Sequence, residues 1–537
     1  MRAASAHLPV ALLLLYFGVV FHGVLFTTEG AFERDAFYHA RYAQMLPERG
    51  LSRKFPWMQF TAWKDEFADK DFLYHIYLAP FCRNAAEPLP GAKWATLLLS
   101  LVGLTLIYAM LVRLRVPWAL FWVALLAVGS GLYLNRMLMV RSHVFSIVLM
   151  ILASYAIFKE RIKTTFIIAF FYPWAYSFPL AMMITAVAAS TGRLLLSGRP
   201  WRVLQIPAVV AAGIALGLLI HPYSPNSLNI LWEFLKISFS RAEGIKLELG
   251  SEFMPMATFD ALTSFDAFWR AILSILISLP GPLIALCVSG ALAFRLKRGA
   301  IKDRMLSNES AAALGAAGVW FAGLFVFSRL IEYFAPIATF AAALTVRDAL
   351  GPHPRLMLSE LEPRKRIRLL CGFLAATVMI AGFNYLAVDE IAYPLVRSTR
   401  NQFAATSNDF ETEKAWRRNR FFDGACSWLR SHLKPGEVVI DFHWDDFPEL
   451  FYGDPQQYYL VGLDPTFMRL SYPQHSATLE AMRTKQIPLD FSKLKSLFGA
   501  DYVVMRLSRA AEFPELSSHS YVPIYSDRLA VIYKIAD

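Results

Sequence analysis

Long apolar runs alternate with short polar segments over the first three-quarters of the chain. An apolar run of about 18 or more residues is long enough to cross a hydrocarbon core of roughly 30 Å. The apolar runs cover residues 8–27, 92–112, 117–134, 142–158, 164–175, 177–191, 203–220, 269–294, 310–327, 330–347 and 368–388. The pattern therefore predicts an α-helical polytopic membrane protein with about 11 transmembrane helices.

The fifth and sixth runs are too short to cross a membrane alone, and Pro173 and Pro179 interrupt the segment. Periodicity allows either one long crossing or a hairpin of two shorter helices. The basic loops cover residues 113–115, 159–163, 192–202, 295–304 and 362–368. Because Lys and Arg accumulate in cytoplasmic loops, the hairpin is favoured, since it alone keeps all these loops inside. The N-terminus then lies inside and the C-terminus outside.

The polar remainder falls on the predicted outer side. It comprises two large loops, 27–91 and 221–268, and a C-terminal segment, 389–537. An amphipathic helix, a Pro-Gly turn and several β-branched runs in the C-terminal segment predict a soluble α/β domain. The expected organisation is therefore a transmembrane domain over residues 1–388, followed by an extracytoplasmic α/β domain over residues 389–537.

Composition supports the membrane assignment. The chain is 56% hydrophobic and only 18% charged over 537 residues, and a soluble protein could not cover that much apolar surface. The net charge of +11 resides mostly in the short basic loops, so it indicates membrane orientation. We expect a multi-pass protein of the cytoplasmic (inner) membrane that contacts membrane lipids and binds no nucleic acid.

The first outer loop carries the same motif twice, in "RDAFYHARY" and "KDFLYHIYL". On a helix, Asp35 and His39 share one face, and so do Asp71 and His75. Asp69 and Asp71 form an Asp-x-Asp pair, whose hard oxygen atoms are candidate ligands for a divalent cation such as Mg or Mn. A structural interpretation stays open, because such an Asp–His pair is often a simple helix contact or cap.

Further charged residues collect at the predicted outer face. They are Arg136, Arg141, His221, Glu252, Arg329 and Glu332. Arginines on an outer face oppose the orientation rule, which favours a role in anion binding. The alternatives are that they anchor lipid headgroups or, within "SRLIEY", form an internal Arg–Glu pair between helices.

The stretch Asp35-x-x-Tyr38-His39-x-Arg41 resembles the first acidic motif of the GT-C superfamily of membrane glycosyltransferases. It is most similar to the motif of prokaryotic oligosaccharyltransferase catalytic subunits, whose order of a large first outer loop, many helices and an outer C-terminal domain is also similar. The chain departs from that family in "LNRMLMVRSH", which lacks a second acidic motif. The family's Trp-Trp-Asp-Tyr-Gly motif is matched only in part, by the Trp-Asp of "HWDDFPELFY". By this resemblance, Glu252 is expected to correspond to the family's outer-loop Glu, although the flanking residues differ.

The resemblance implies transfer of a sugar from a polyprenyl-phosphate-linked donor to a glycan, lipid or protein acceptor outside the membrane. Asp35 is then the general base, and Asp71 is a second candidate catalytic residue that orients the acceptor. Arg329, with Arg136 or Arg141, would stabilise the departing phosphate, because guanidinium groups bind it in a bidentate manner. The full set of expected substrate-binding residues is His39, His75, Arg136, Arg141, Arg329, Glu332, Glu252 and His221.

Two other functions stay open. An oligosaccharyltransferase would act on protein and is distinguished by modification of an Asn-x-Ser/Thr peptide. A transporter or flippase of lipid-linked sugars would suit the interrupted helix near Pro173. Transporters place charged groups near the membrane midplane, whereas here the charges gather at one face, which favours the transferase.

Overall fold

The computed structural model describes residues 2–26, 28–31, 33–83, 86–197, 204–240, 279–301, 304–350, 420–517 and 521–535. Glu252, the apolar run 368–388 and the predicted domain boundary at residue 388 lie outside these described residues. The predicted division into two domains therefore stays a prediction. The N-terminal part comprises the helices up to residue 350, and the C-terminal module comprises residues 420–517 and 521–535.

The N-terminal part is helical because long stretches of Leu, Ala and other good helix formers run between sparse Gly and Pro positions. Its helices are Arg2–Leu25 (α1), Asp35–Arg49 (α2), Trp63–Glu66 (α3), Phe72–Cys82 (α4), Leu89–Arg113 (α5), Ala119–Val128 (α6), Gly131–Met137 (α7), Ser142–Phe158 (α8), Ile162–Ala175 (α9), Leu180–Ser197 (α10), Gln205–Leu219 (α11), Asn226–Ser240 (α12), Pro280–Lys297 (α13), Asn308–Gly323 (α14) and Ile331–Leu350 (α15). A 3₁₀ turn, Ser328–Leu330, leads into α15.

Within the described residues, three helical stretches are long and apolar enough to cross a membrane alone: α5, α10 and the stretch from Ser328 to Leu350. The pair α6 and α7 counts as a fourth if it is one broken crossing. The helical architecture and these apolar helices agree with a membrane protein. The count of about 11 crossings stays a prediction.

The apolar run 117–134 was expected to form one helix, and the structure corrects this. Helices α6 and α7 meet at 89°. The Gly129 carbonyl accepts a hydrogen bond from the Gly281 amide at 2.7 Å, outside its own helix. The Ser130 side chain then caps α7 by accepting from the Tyr133 amide at 3.2 Å. Local capping therefore outweighs the continuous apolar pattern.

Helices α9 and α10 run in opposite directions, as the hairpin interpretation requires. Arg193, near the end of α10, donates to the carbonyls of Ile157 and Phe158 at 2.6 and 3.1 Å, next to the start of α9. The break between the two helices, residues 176–179, lies at the opposite end, beside Asp69. The hairpin therefore brings its broken backbone to the first outer loop.

The C-terminal module is a five-stranded sheet with helices between its strands. The strands are Val438–Asp441 (β1), Tyr458–Tyr459 (β2), Tyr502–Arg506 (β3), Pro523–Ser526 (β4) and Ala530–Lys534 (β5). The helices are Asp423–His432 (α16), Phe447–Gly453 (α17), Thr466–Ser471 (α18), Pro473–Arg483 (α19), Phe491–Phe498 (α20) and Leu507–Ala510 (α21). The strand order is β2-β1-β3-β5-β4; β1 is parallel to β2 and β3, and β5 is antiparallel to β3 and β4.

The module docks on the first loop through both backbone and side chains. Met58 forms a parallel bridge with Tyr459, and the amides of Gln59 and Phe60 donate to the carbonyls of Tyr459 and Leu460 at 2.8 and 3.0 Å. The aromatic side chains of both partners then form one buried cluster. Its members include Tyr38, Phe55, Trp57, Trp63 and Phe67 from the loop and Phe447, Phe451 and Tyr459 from the module. The loop and the module therefore share a single core.

Phe451→Ala tests this shared core. The Phe451 ring is fully buried and lies 5.0 Å from the Trp57 ring and 5.7 Å from the Phe55 ring, between centroids. We expect the substitution to lower the free energy of unfolding by about 3–5 kcal/mol, because it removes packing from both partners. Denaturant unfolding of the detergent-solubilised protein measures the loss. Val522→Ala, at a side chain that is 66% exposed, is the control and should change it by less than about 0.5 kcal/mol. Equal stability of the two variants would contradict the shared core.

Candidate active site

The structure brings the two Asp-x-x-Tyr-His motifs together. Helices α2 and α4 pack against each other, and His39 Nδ1 lies 2.8 Å from His75 Nε2. Both imidazoles are buried, with exposed fractions of 4% and 0%. The repeated spacing therefore places one histidine of each helix at the same contact.

Asp35 occupies the first turn of α2, where a carboxylate is favoured by the helix dipole. Its Oδ2 atom lies 2.7 Å from Arg141 Nη2, at the start of α8. Arg141 also lies near Glu33, with Nε 3.6 Å from Oε1. The Glu33 carboxylate in turn accepts from the Asp35 amide at 2.8 Å. Arg141 thus orients the Asp35 carboxylate, and Glu33 is a site residue that the sequence analysis did not identify.

A second group of charges lies just before α4. His75 Nδ1 lies 2.9 and 2.8 Å from the two oxygens of Asp69, and the Asp71 amide donates to Asp69 Oδ1 at 3.0 Å. Lys70 Nζ pairs with Asp71 Oδ2 at 2.8 Å. In the part of the chain that the structure describes, Asp71 Oδ1 is buried without a hydrogen-bond partner. The two carboxylates therefore have different neighbours.

This donor set does not fit the divalent cation considered for Asp69 and Asp71. Both oxygens of Asp69 already accept hydrogen bonds, and Lys70 supplies a positive charge at Asp71. Over the described ranges, no group of three or more His, Cys, Asp or Glu side chains is arranged to hold a metal. We derive no step through a metal, and a cation requirement stays a prediction.

Electrostatics link these groups to a carboxylate of the C-terminal module. Burial raises the pKa of Asp464, and the nearby charge of Asp35 raises it further, whereas hydrogen bonds from Thr466 and the charge of Lys70 lower it. Asp35, Lys70 and Asp464 therefore share one neighbourhood. No local signal in the sequence connects Asp464 with residues so distant along the chain.

A small cavity of about 30 Å³ opens beside Lys70 at the break between α9 and α10. Its polar lining includes Asp69, Lys70 and His221, and its apolar lining includes Pro173, Leu218 and Ile230. Burial lowers the pKa of His221 to about 4, although Asp69 opposes this shift, so the imidazole is neutral at pH 7. Arg329 Nη2 donates at 3.0 Å to the hydroxyl of Tyr176, which also lines the cavity.

Arg136 and Glu332 are placed apart from this cavity lining, in an ion pair between α7 and α15. Glu332 Oε2 lies 2.8 Å from Arg136 Nη2 and 3.2 Å from Nε, and both side chains are buried. The Arg136 carbonyl accepts from His143 Nε2 at 2.7 Å. Glu332 thus pairs with Arg136, whereas the internal pair considered for "SRLIEY" would have joined it to Arg329. A buried pair of this kind holds two helices in register.

The module reaches the residue before Asp35 through a cluster of alternating charges. Arg34 Nη1 lies 2.5 Å from Asp445 Oδ2, which is also 2.7 Å from Arg509 Nη2. Asp446 pairs with Arg506 Nη2 at 2.6 Å and with Arg509 Nη1 at 3.0 Å. The two aspartates of "HWDDFPELFY" therefore form ion pairs that hold the module against the start of α2.

Comparisons with known proteins identify the fold. No family model matches the chain, and no curated protein sequence matches it. The oligosaccharyltransferase of Archaeoglobus fulgidus in its apo form has a similar structure, with a TM-score of 0.54 and 13% identity over 98% of this chain and 74% of that chain. The same enzyme tethered to an acceptor peptide with the NVT sequon gives a TM-score of 0.55 at 13% identity, over 99% of this chain and 74% of that chain.

ArnT from Cupriavidus metallidurans, bound to undecaprenyl phosphate, is similar over the full length of both chains. The TM-score is 0.56 at 13% identity, and 98% of each chain is covered. Identity this low carries information about the fold only. The chain therefore has the fold of the GT-C type of membrane glycosyltransferases.

Proposed function

We propose that the chain transfers a sugar from a polyprenyl-phosphate-linked donor to an acceptor at the outer face of the cytoplasmic membrane. The observation that carries the proposal is the position of Asp35, which Arg141 holds at 2.7 Å on a helix that packs against the helix following Lys70. Lys70 itself lines a cavity whose lining is part polar and part apolar. The shared fold with two membrane glycosyltransferases supports it. The orientation, with an inner N-terminus and an outer C-terminal module, remains part of the proposal.

The donor would bind at the cavity beside Lys70. A polyprenyl phosphate has an anionic head and an apolar tail, which suits a lining that combines Lys70 and His221 with Pro173, Leu218 and Ile230. The Asp69 carboxylate also lines the cavity. The present volume of about 30 Å³ has room for about two water molecules. The lining segments would therefore separate when the headgroup enters, and Arg329 would approach it from behind Tyr176.

Asp35 would activate the acceptor. The acceptor hydroxyl forms a bond to the anomeric carbon while the bond from that carbon to the phosphate oxygen breaks, and the phosphate keeps the electron pair. The transition state resembles an oxocarbenium ion. Asp35, held by Arg141 at 2.7 Å, would orient the hydroxyl and receive its proton late in the reaction. Lys70 would stabilise the departing phosphate.

A glycan or lipid acceptor fits the site better than a protein acceptor. Asp445, the first aspartate of "HWDDFPELFY", is paired with Arg34 and Arg509, which supports this preference. A protein acceptor would be revealed by modification of an Asn-x-Ser/Thr peptide. A transporter or flippase would instead move the lipid-linked sugar without forming a new glycosidic bond.

Asp35→Asn tests the role of the general base. We expect transfer by the purified, reconstituted protein to fall by about 10²–10⁴-fold, because the amide cannot accept the proton. Transfer is measured with a radiolabelled polyprenyl-phosphate sugar and a membrane lipid extract as acceptor. Asp65→Asn is the matched control, since Asp65 lies in the same loop and its side chain is 68% exposed, 3.9 Å from Lys54. Unchanged transfer in Asp35→Asn would remove Asp35 from the mechanism.

Lys70→Met tests the donor site separately. The substitution keeps most of the apolar stem and removes the charge. We expect undecaprenyl phosphate to bind about 10–100-fold more weakly, because one charge-assisted hydrogen bond is lost. Native mass spectrometry of the lipid complex measures the binding, and undecaprenol, which lacks the phosphate, is compared. Lys54→Met, at a side chain that is 72% exposed, is the control. Equal binding by Lys70→Met and Lys54→Met would place the phosphate elsewhere.

A further inference from the structure

We propose that Asp69, His75 and His39 form a relay that takes up the proton released by the acceptor. The inference rests on the proposed transferase function and adds a destination for the proton beyond Asp35. It begins from the continuous line of contacts that joins Asp69 to His75 Nδ1, and His75 Nε2 to His39 Nδ1.

The contacts permit one assignment of protons when both rings are neutral. Asp69 Oδ1 accepts from the Asp71 amide, and in its carboxylate form Asp69 has acceptor atoms only. His75 Nδ1 must then carry a proton and donate it, which leaves a lone pair on Nε2. His39 Nδ1 must donate to that lone pair, which leaves a second lone pair on His39 Nε2. The chain of bonds therefore makes His39 Nε2 a proton acceptor.

The surroundings of His39 keep it neutral before reaction. Burial lowers the pKa of His39 well below its ordinary value, and positive neighbours lower it further. The charges that act on His39 include those of His75, Lys70, Arg141 and His143. The rings of Tyr38 and Tyr74 lie 5.2 and 5.3 Å from its ring, between centroids. Asp69, behind His75, is the carboxylate in contact with the relay. A neutral imidazole with a free lone pair is the form that a proton acceptor requires.

The relay moves charge away from the buried ring that first receives it. A proton from the acceptor hydroxyl passes by way of Asp35, which lies one turn from His39 on the same face of α2, to His39 Nε2. The proton on His39 Nδ1 then moves to His75 Nε2. His39 is neutral again, and the new imidazolium at His75 lies 2.8 Å from the Asp69 carboxylate. The positive charge thus ends beside its counter-ion, which offsets the cost of burying it.

A purely structural role would make different demands. Hydrogen bonds that only hold α2 against α4 would be satisfied equally well with the Nε2–H form of His39 and a charged His75. The relay requires the Nδ1–H form at both neutral rings. A charged His75 would therefore exclude the relay. Because neutral rings with a purely structural role would adopt the same tautomers, the pH–kcat profile below completes the separation of the two explanations.

The test uses the full-length protein, labelled with ¹⁵N-histidine and held in lipid nanodiscs. The ¹⁵N shifts of His39 and His75, assigned by the variants His39→Gln and His75→Gln, should show both rings in the neutral Nδ1–H form at pH 7. Asp69→Ala, which removes the acceptor of the His75 Nδ1–H, should change the tautomer of His75, whereas the control His432→Asn, on the exposed surface of the module, should leave both rings unchanged. A proton on Nε2 of His39 in the unmodified protein at pH 7 would overturn the relay.

Kinetic measurements provide a second test of the relay. His39→Gln should lower kcat by about 10²–10⁴-fold. Asp69→Asn should lower kcat and move the acidic limb of the pH–kcat profile to lower pH, because the charged relay loses its counter-ion. Retained binding of undecaprenyl phosphate shows that each variant is folded. If His39→Gln transfers at the unmodified rate while Asp35→Asn is inactive, the relay is wrong and the transferase proposal stands.

Discussion

The position of α2 is the constraint on which the rest of the site depends. Its first turn is held by Arg141 at Asp35, its next turn by the contact between His39 and His75, and its preceding residue by Asp445 of the C-terminal module. Each of these contacts pairs polar or charged groups that are at least partly buried. Removing one partner would leave the other uncompensated at a large cost, so the three contacts support one another.

Much of the helical architecture could be predicted from the apolar pattern. The runs 142–158 and 203–220 correspond closely to Ser142–Phe158 and Gln205–Leu219, because a buried or membrane-facing helix needs continuous apolar residues. The prediction that the run 117–134 forms a single helix was wrong. There the apolar pattern continues across Gly129 and Ser130, while a neighbouring backbone and a side-chain cap break the helix.

The candidate site was predictable in part. The repeated Asp-x-x-Tyr-His spacing pointed to Asp35, His39, Asp71 and His75, and the structure places the two histidines in contact. Sequence spacing gives no information about which charges meet across large separations. The pairing of Arg141 with Asp35, and of Arg136 with Glu332, therefore required the structure, as did the proximity of Asp464.

The shared core between loop and module affects how the protein is made. Trp57 Nε1 donates to the carbonyl of Pro455 across 398 residues of chain. At synthesis rates of about 5–20 residues per second, the loop waits about 20–80 s for its partner. Until then, its aromatic side chains lack the surface that covers them. The shared core of the loop and the module can therefore form only after the module has been synthesised.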